Sequence, residues 1–135
     1  MRRCAFLTME SLDGYISEGD DVAYAPLRTL GWDVEPVPWR RSAIDWRSFD
    51  AVIIRTTWDY HEAPEAFISV LEQVKRSGTP LENALDLVLW NMNKTYLRDL
   101  ELRGIPIVPT IWGSDIGQVN QERILQRLGT DEVVL

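Results

Sequence analysis

Apolar residues in this chain arrive in short unbroken runs, separated by longer stretches of mixed polarity. That is the pattern of strands buried on both faces alternating with amphipathic helices. Cys4-Ala5-Phe6-Leu7 is the first such run. Ala51-Val52-Ile53-Ile54 is the strongest, continuous and mostly β-branched, and is expected near the centre of a sheet. Val34 to Val37 is shorter, and Pro36 within it places it near an edge. Thr79-Pro80-Leu81 and Ile105 to Val108 read as two further strands, and Val133-Val134-Leu135 as the start of another.

The intervening stretches carry helix signals. Asp20 or Asp21 is placed to cap a helix running to Leu30, with Gly31 as its stop and Pro26 confined to its first turn. From Pro64 the residues Ala63, Ala66, Phe67, Val70, Leu71 and Val74 follow spacings of three and one, a single face of a 3.6-residue period that ends at Gly78. Further helices are expected over Asn93 to Leu102, stopped at Gly104, and over about Gly117 to Leu128. Repeated strand-helix-strand units define the expected class: α/β, a Rossmann-like parallel sheet with flanking helices.

Composition narrows the partners. The 135 residues carry 14 Lys and Arg against 21 Asp and Glu, a net charge of −7. No basic patch extends beyond Arg40, Arg41 and Arg47, which read as solvated surface, so no nucleic-acid partner is expected. The single cysteine and single histidine rule out a Cys/His zinc set. Cys4, inside an apolar run, reads as buried filler. The apolar runs are too short for a membrane span, and Arg2-Arg3 opens no signal peptide, so a soluble, cytoplasmic protein is expected. Trp32, Trp39 and Trp46 cluster ahead of the strongest strand; packing over the sheet edge is their expected role, and stacking on a ligand the alternative.

Open parallel sheets bind ligands beyond the carboxyl ends of their strands. There the strongest strand runs into Arg55-Thr56-Thr57-Trp58-Asp59-Tyr60-His61. Arg55 offers a planar fork for a carboxylate or phosphate, Thr56 and Thr57 hydroxyls, Trp58 and Tyr60 flat walls with a polar edge, and Asp59 a seat for an ammonium. The structural alternative has Asp59 capping the next helix and pairing with Arg55 while Trp58 fills a gap. His61 has no nucleophile beside it in sequence and is assigned no role. Glu10, Ser11, Asp13, Asp20 and Asp21 can hold an amino group or Mg²⁺, and solvation and capping explain them equally well. No glycine-rich phosphate loop of either common type is present. Lys94 is expected in the first turn of a helix, a poor place for a cation unless a phosphate shares it.

The order of these motifs resembles the N-terminal part of an ATP-grasp ligase, in the branch of glutathione synthetase, the RimK-type ligases and the cycloserine-biosynthesis ligases. The resemblance rests on Gly31-Trp32-Asp33-Val34 leading to Val37-Pro38-Trp39, and on Ile54-Arg55-Thr56-Thr57-Trp58-Asp59-Tyr60. Trp90-Asn91-Met92-Asn93-Lys94-Thr95-Tyr96-Leu97 and Gly104-Ile105-Pro106-Ile107-Val108-Pro109-Thr110 complete it.

It implies a pre-ATP-grasp substrate domain over 1–92 and the beginning of the ATP-grasp lobe over 93–135. It implies an ATP-phosphate contact at Lys94, here after Asn93 where the family usually has aspartate. It also implies substrate contacts at Arg55, Thr57, Trp58, Asp59 and Tyr60, with a small carboxylate or amine as substrate. The implied chemistry is phosphorylation of a carboxylate by Mg-ATP and attack of an amine or thiol on the acyl phosphate. ATP and Mg²⁺ then belong to the full-length parent, with neither expected on this chain alone.

Because the chain stops inside an apolar run, it is expected to be a truncated and inactive piece of that parent. The competing reading is a non-catalytic Rossmann-like binding or assembly module, with a homodimer through exposed edges. A receiver-type signalling domain fits less well, since Arg55 and not aspartate follows the strongest strand.

Overall fold

The structure is a computed structural model that describes residues 1–11, 20–113 and 120–129. The chain divides into two units, Met1–Asn93 and Lys94–Leu135.

The first unit is built on four parallel strands: β1 (Arg2–Thr8), β2 (Trp32–Pro38), β3 (Ala51–Ile54) and β4 (Leu81–Glu82), in the order β2-β1-β3-β4. β1 lies between β2 and β3, with Cys4 opposite both Val34 and Ala51 and Leu7 opposite both Val37 and Ile54. This position is why Cys4 to Leu7 form an unbroken buried run. β3 is the other interior strand, and β2 is the edge strand where the missing donor of Pro36 is tolerated. Burial pushes the Cys4 thiol up to about 11, so it is neutral and inert at pH 7, as expected of a packing residue.

The expected first helix is a 3-10 turn, Asp20–Ala23, followed by α1 (Tyr24–Thr29), with Pro26 in its first turn and Gly31 at φ 87° just beyond its end. Asp20 does not cap α1, because its carboxylate is turned to other partners described below. α2 (Pro64–Ser77) matches its periodicity: Phe67, Leu71 and Val74 are buried, and Gly78 ends it in the left-handed conformation. With Leu7, Val37, Trp39, Trp46 and Val52 these side chains form the core. Trp39 and Trp46 therefore lie within the core and not merely over an edge, whereas Trp32 is half-buried on edge strand β2.

α3 (Leu85–Asn91) was legible in principle but not expected. Leu85 and Val88 bury one face at a spacing of three, and Met92 joins them.

The second unit contains α4 (Tyr96–Leu102) and α5 (Gln121–Leu128) among its described residues. α4 begins three residues later than the expected Asn93, so Lys94 is a turn residue before the helix and not part of its first turn. Gly104 at φ 75° follows α4 as expected. Ile105 to Val108 is not a strand: Pro106 and Pro109 remove two donors, and Ile105 and Val108 are exposed. The Asn120 side chain accepts the Arg123 N–H at 3.0 Å and starts α5. Gly117 and Val133 to Leu135 lie outside the described residues.

Candidate functional site

Parallel pairing brings the carboxyl ends of β1, β2 and β3 to one end of the sheet. Backbone bonds hold the chain there: Arg55 N–H donates to Leu7 O at 3.1 Å, Trp39 N–H to Thr8 O at 2.8 Å and Met9 N–H to Thr56 O at 2.8 Å. The segments that leave the three strands are thereby fixed side by side, and their polar side chains meet.

Arg55 and Asp59, the two charged residues of the motif, do not pair with each other. Arg55 reaches Asp20: its Nε donates to Oδ1 at 2.7 Å and its Nη2 lies 2.6 Å from the same oxygen. Thr56 Oγ1 donates to the other oxygen at 3.1 Å. Asp20 is buried by these contacts, while the Arg55 side chain keeps 48% of its surface exposed. Its guanidinium also lies 5.6 Å from the Phe6 ring centroid, which meets Tyr24 edge-on at 5.8 Å. The Tyr24 hydroxyl is held above its ordinary pKa by burial first, and then by the charges of Asp20 and Asp21.

Asp59 is 7% exposed and is bonded to the segment that leaves β2. Trp39 Nε1 donates to Oδ1 at 2.6 Å and Arg40 Nε to Oδ2 at 2.9 Å. Arg40 Nη2 also donates to the Asp59 carbonyl at 3.3 Å and to Glu62 Oε2 at 3.1 Å, and the guanidinium stacks 4.1 Å from the centroid of the Trp39 ring. Both carboxylate oxygens thus have donors, and Asp59 caps no helix: α2 starts from Ala63. Burial alone would raise the Asp59 pKa, but the bonds from Trp39 and Arg40 and the Arg40 charge outweigh it and hold the carboxyl below its ordinary value.

A group depressed in this way stabilises the fold fully above about pH 4, and its contribution is lost as pH falls through the lower folded-state value. Asp59→Asn is therefore expected to lower stability at pH 7 and to flatten its decline below about pH 4, as read by urea unfolding across pH. An unchanged slope would show that the pair does not form in solution.

The other motif residues surround this framework. Thr57 is buried and its carbonyl accepts the Tyr60 N–H at 3.0 Å, opening a 3-10 turn over Trp58–Glu62. Tyr60 packs against Phe67, with ring centroids 5.6 Å apart. His61 Nδ1 bonds the Trp58 carbonyl at 2.8 Å, a contact local to this turn. Trp58 is 40% exposed. The structure thus gathers Arg55, Thr57, Trp58, Asp59 and Tyr60 at one end of the sheet. Lys94 belongs to the other unit, exposed, with its Nζ 5.9 Å from the centroid of the Tyr96 ring. Sequence reasoning missed Asp20 as the anchor of Arg55, and Trp39 and Arg40 as partners of Asp59. For Trp39 and Arg40 the signal was positional, since residues just after parallel strands share one end of the sheet, whereas Asp20, in the turn before α1, carried no such signal.

Among the described residues no three His, Cys, Asp or Glu side chains converge as a metal site, so none of them is assigned to Mg²⁺. Among the same residues no helix is long and apolar enough to cross a membrane.

A four-stranded parallel sheet flanked by helices defines a Rossmann-like domain, here of the pre-ATP-grasp kind. Residues 4–83 match the family model described as D-cycloserine synthetase DcsG, N-terminal domain, and the chain belongs to that family. It is 36% identical over 83 residues to the cycloserine biosynthesis protein DcsG of Streptomyces lavendulae, an alignment covering 62% of this chain and 27% of the relative. The crystal structure of D-cycloserine synthetase DcsG superposes with a TM-score of 0.64 at 32% identity, covering 81% of this chain and 36% of that one. This chain accordingly aligns with only about a third, or less, of the length of these relatives.

Proposed function

We propose that this chain is the substrate-side domain of an ATP-dependent carboxylate–amine (or thiol) ligase. In that reaction a substrate carboxylate takes the γ-phosphoryl group of ATP, releasing ADP. The amine or thiol then attacks the acyl phosphate and expels inorganic phosphate. The observation that carries this reading is Arg55: a guanidinium at the carboxyl end of an interior strand, oriented by Asp20 and still accessible. An Arg fork held this way is suited to a carboxylate, and membership of a family named for a synthetase supports the same assignment.

The name D-cycloserine synthetase makes an amino-acid-like carboxylate the first substrate class to test. On this reading the half-exposed Trp58 is the candidate apolar wall, while Asp59 and Tyr60 belong to the turn that carries it. On this reading ATP and Mg²⁺ are held by the ATP-grasp lobes of the full-length protein, with Lys94 as one phosphate contact, and the 135-residue chain alone does not ligate.

The full-length protein, incubated with Mg-ATP, an ¹⁸O-labelled amino-acid-like carboxylate and an amine, is expected to release ADP and to transfer one ¹⁸O to phosphate. ADP release without label in the phosphate would overturn the acyl-phosphate route. The 135-residue chain is expected to release none, and turnover by it would overturn the assignment of catalysis to the lobes.

A further inference from the structure

Two segments that leave the sheet meet at one guanidinium. Arg40 stands two residues beyond β2, and its side chain spans the 3-10 turn Trp58–Glu62 that follows β3. Its Nε donates to Asp59 Oδ2 at 2.9 Å. Its Nη2 donates to the Asp59 carbonyl at 3.3 Å and, at the far end of the turn, to Glu62 Oε2 at 3.1 Å. The flat face of the same group lies 4.1 Å from the centroid of the Trp39 ring.

This is more than a counter-ion for Asp59 requires. Trp39 already donates to the other oxygen of that carboxylate. The bonds to the Asp59 carbonyl and to Glu62 hold the turn itself. The Glu62 side chain is 61% exposed, and a lone ion pair at such a position contributes little stability. Its consequence is geometric: one planar fork ties the start of the turn to its end. A lysine has neither the fixed fork nor the flat face that lies on the indole.

Bonds within the turn set its shape: Tyr60 N–H donates to the Thr57 carbonyl at 3.0 Å, and His61 Nδ1 bonds the Trp58 carbonyl at 2.8 Å. The bonds from Trp39 and Arg40 tie that shape to the neighbouring strand exit. Trp58 opens the turn and is half-exposed, and the residue gripped by Arg40 is the next one along. A turn that shifts carries the indole with it.

We propose that Arg40 is a positioning residue, which acts on the substrate through the turn by holding the Trp58 indole in place. This role rests on the ligase reading, which gives Trp58 a substrate; the grip of Arg40 on the turn does not.

The role is tested by steady-state kinetics of the full-length ligase, and the grip by the Trp58 indole N–H resonance of the ¹⁵N-labelled 135-residue chain. Arg40→Met keeps a stem to lie on Trp39 and loses every bond to the turn. It is expected to shift the Trp58 resonance and leave that of Trp112 in place. In the ligase it is expected to raise KM for the carboxylate substrate roughly tenfold, with kcat changed only a few-fold. Arg40→Lys is expected to recover part of the loss. Trp58→Ala raises KM by itself, and adding Arg40→Met to it is expected to change KM no further, because the two act in series. Glu62→Ala, at an exposed position, cuts only the far contact and is expected to raise KM roughly threefold; it replaces Arg40→Met if that variant does not fold.

An Arg40 that serves stability alone would leave KM unmoved and lower only the urea midpoint. An equal rise in KM with and without Trp58 would overturn the route through the indole, and an unmoved Trp58 resonance would overturn the grip. If Arg55→Ala raises KM and Arg40→Met does not, the positioning role fails and the ligase reading stands. If neither raises KM while the Trp58 resonance moves, this end of the sheet is not the substrate site, and the positioning role falls with that reading.

Discussion

Trp39→Ala is expected to cost about 3–5 kcal/mol, the largest stability loss of any single substitution in the first unit. The indole is 2% exposed and meets Phe67 edge-on, with centroids 5.3 Å apart. Its Nε1 bonds Asp59, and Arg40 stacks on its face. Truncation therefore removes a packed ring and leaves Oδ1 of a buried carboxylate without its closest donor. A domain of this size has about 5–15 kcal/mol in total, so the loss is visible as a shifted urea midpoint or as outright unfolding.

Trp39→Phe separates the two parts. It keeps most of the ring and forfeits the hydrogen bond, for an expected loss of about 1–3 kcal/mol. Combined with Asp59→Asn, the losses are expected to fall short of the sum, because the two residues share one interaction. If Trp39→Ala instead lies within about 1 kcal/mol of the parent chain, the indole does not anchor the core in solution.

Much of this fold was legible because its two interior strands are continuous apolar runs, β1 buried on both faces and β3 mostly half-buried. Cys4 to Leu7 and Ala51 to Ile54 need no alternation to be read, and Pro36 marks its own strand as an edge. α2 was legible through a clean 3.6-residue period and Gly78. α3 was missed because Leu87 to Trp90 reads as one apolar run, while only Leu85 and Val88 turn inward. Ile105 to Val108 misled for the converse reason: β-branched residues favour a strand only where a neighbouring strand can pair with them.

The site divides in the same way. The position of the motif, at the end of β3, follows from sheet topology and was legible in the sequence. Its pairings do not follow, since Arg55 bonds a residue 35 positions earlier and Asp59 one 19 positions earlier. Charge spacing within the motif favoured an Arg55–Asp59 pair, but the fold offers Arg55 the turn ahead of α1 and offers Asp59 the residues just after β2.

On the proposed reading, Arg55→Ala in the full-length ligase is expected to raise KM for the carboxylate substrate roughly a hundredfold, with kcat changed only a few-fold. Removing a charge-assisted partner from a bound carboxylate costs about 2–5 kcal/mol, and each 1.4 kcal/mol is about a factor of ten. On this reading the effect falls on KM because the guanidinium holds the carboxylate oxygen that does not attack phosphorus, a contact kept from the ground state into the transition state. The fork is already fixed by Asp20, whose second oxygen is taken by Thr56, so a carboxylate meeting it orders little else.

Asp20→Asn is expected to loosen that anchor and raise KM only several-fold, because Arg55 itself remains. Arg55→Lys keeps the charge but loses the fork, and falls between the two. Steady-state kinetics of the three variants, with urea unfolding of each, decide the matter. If Arg55→Ala lowers stability and leaves KM unchanged, Arg55 serves only to neutralise the buried Asp20. The substrate would then have to be sought along the exposed face of Trp58.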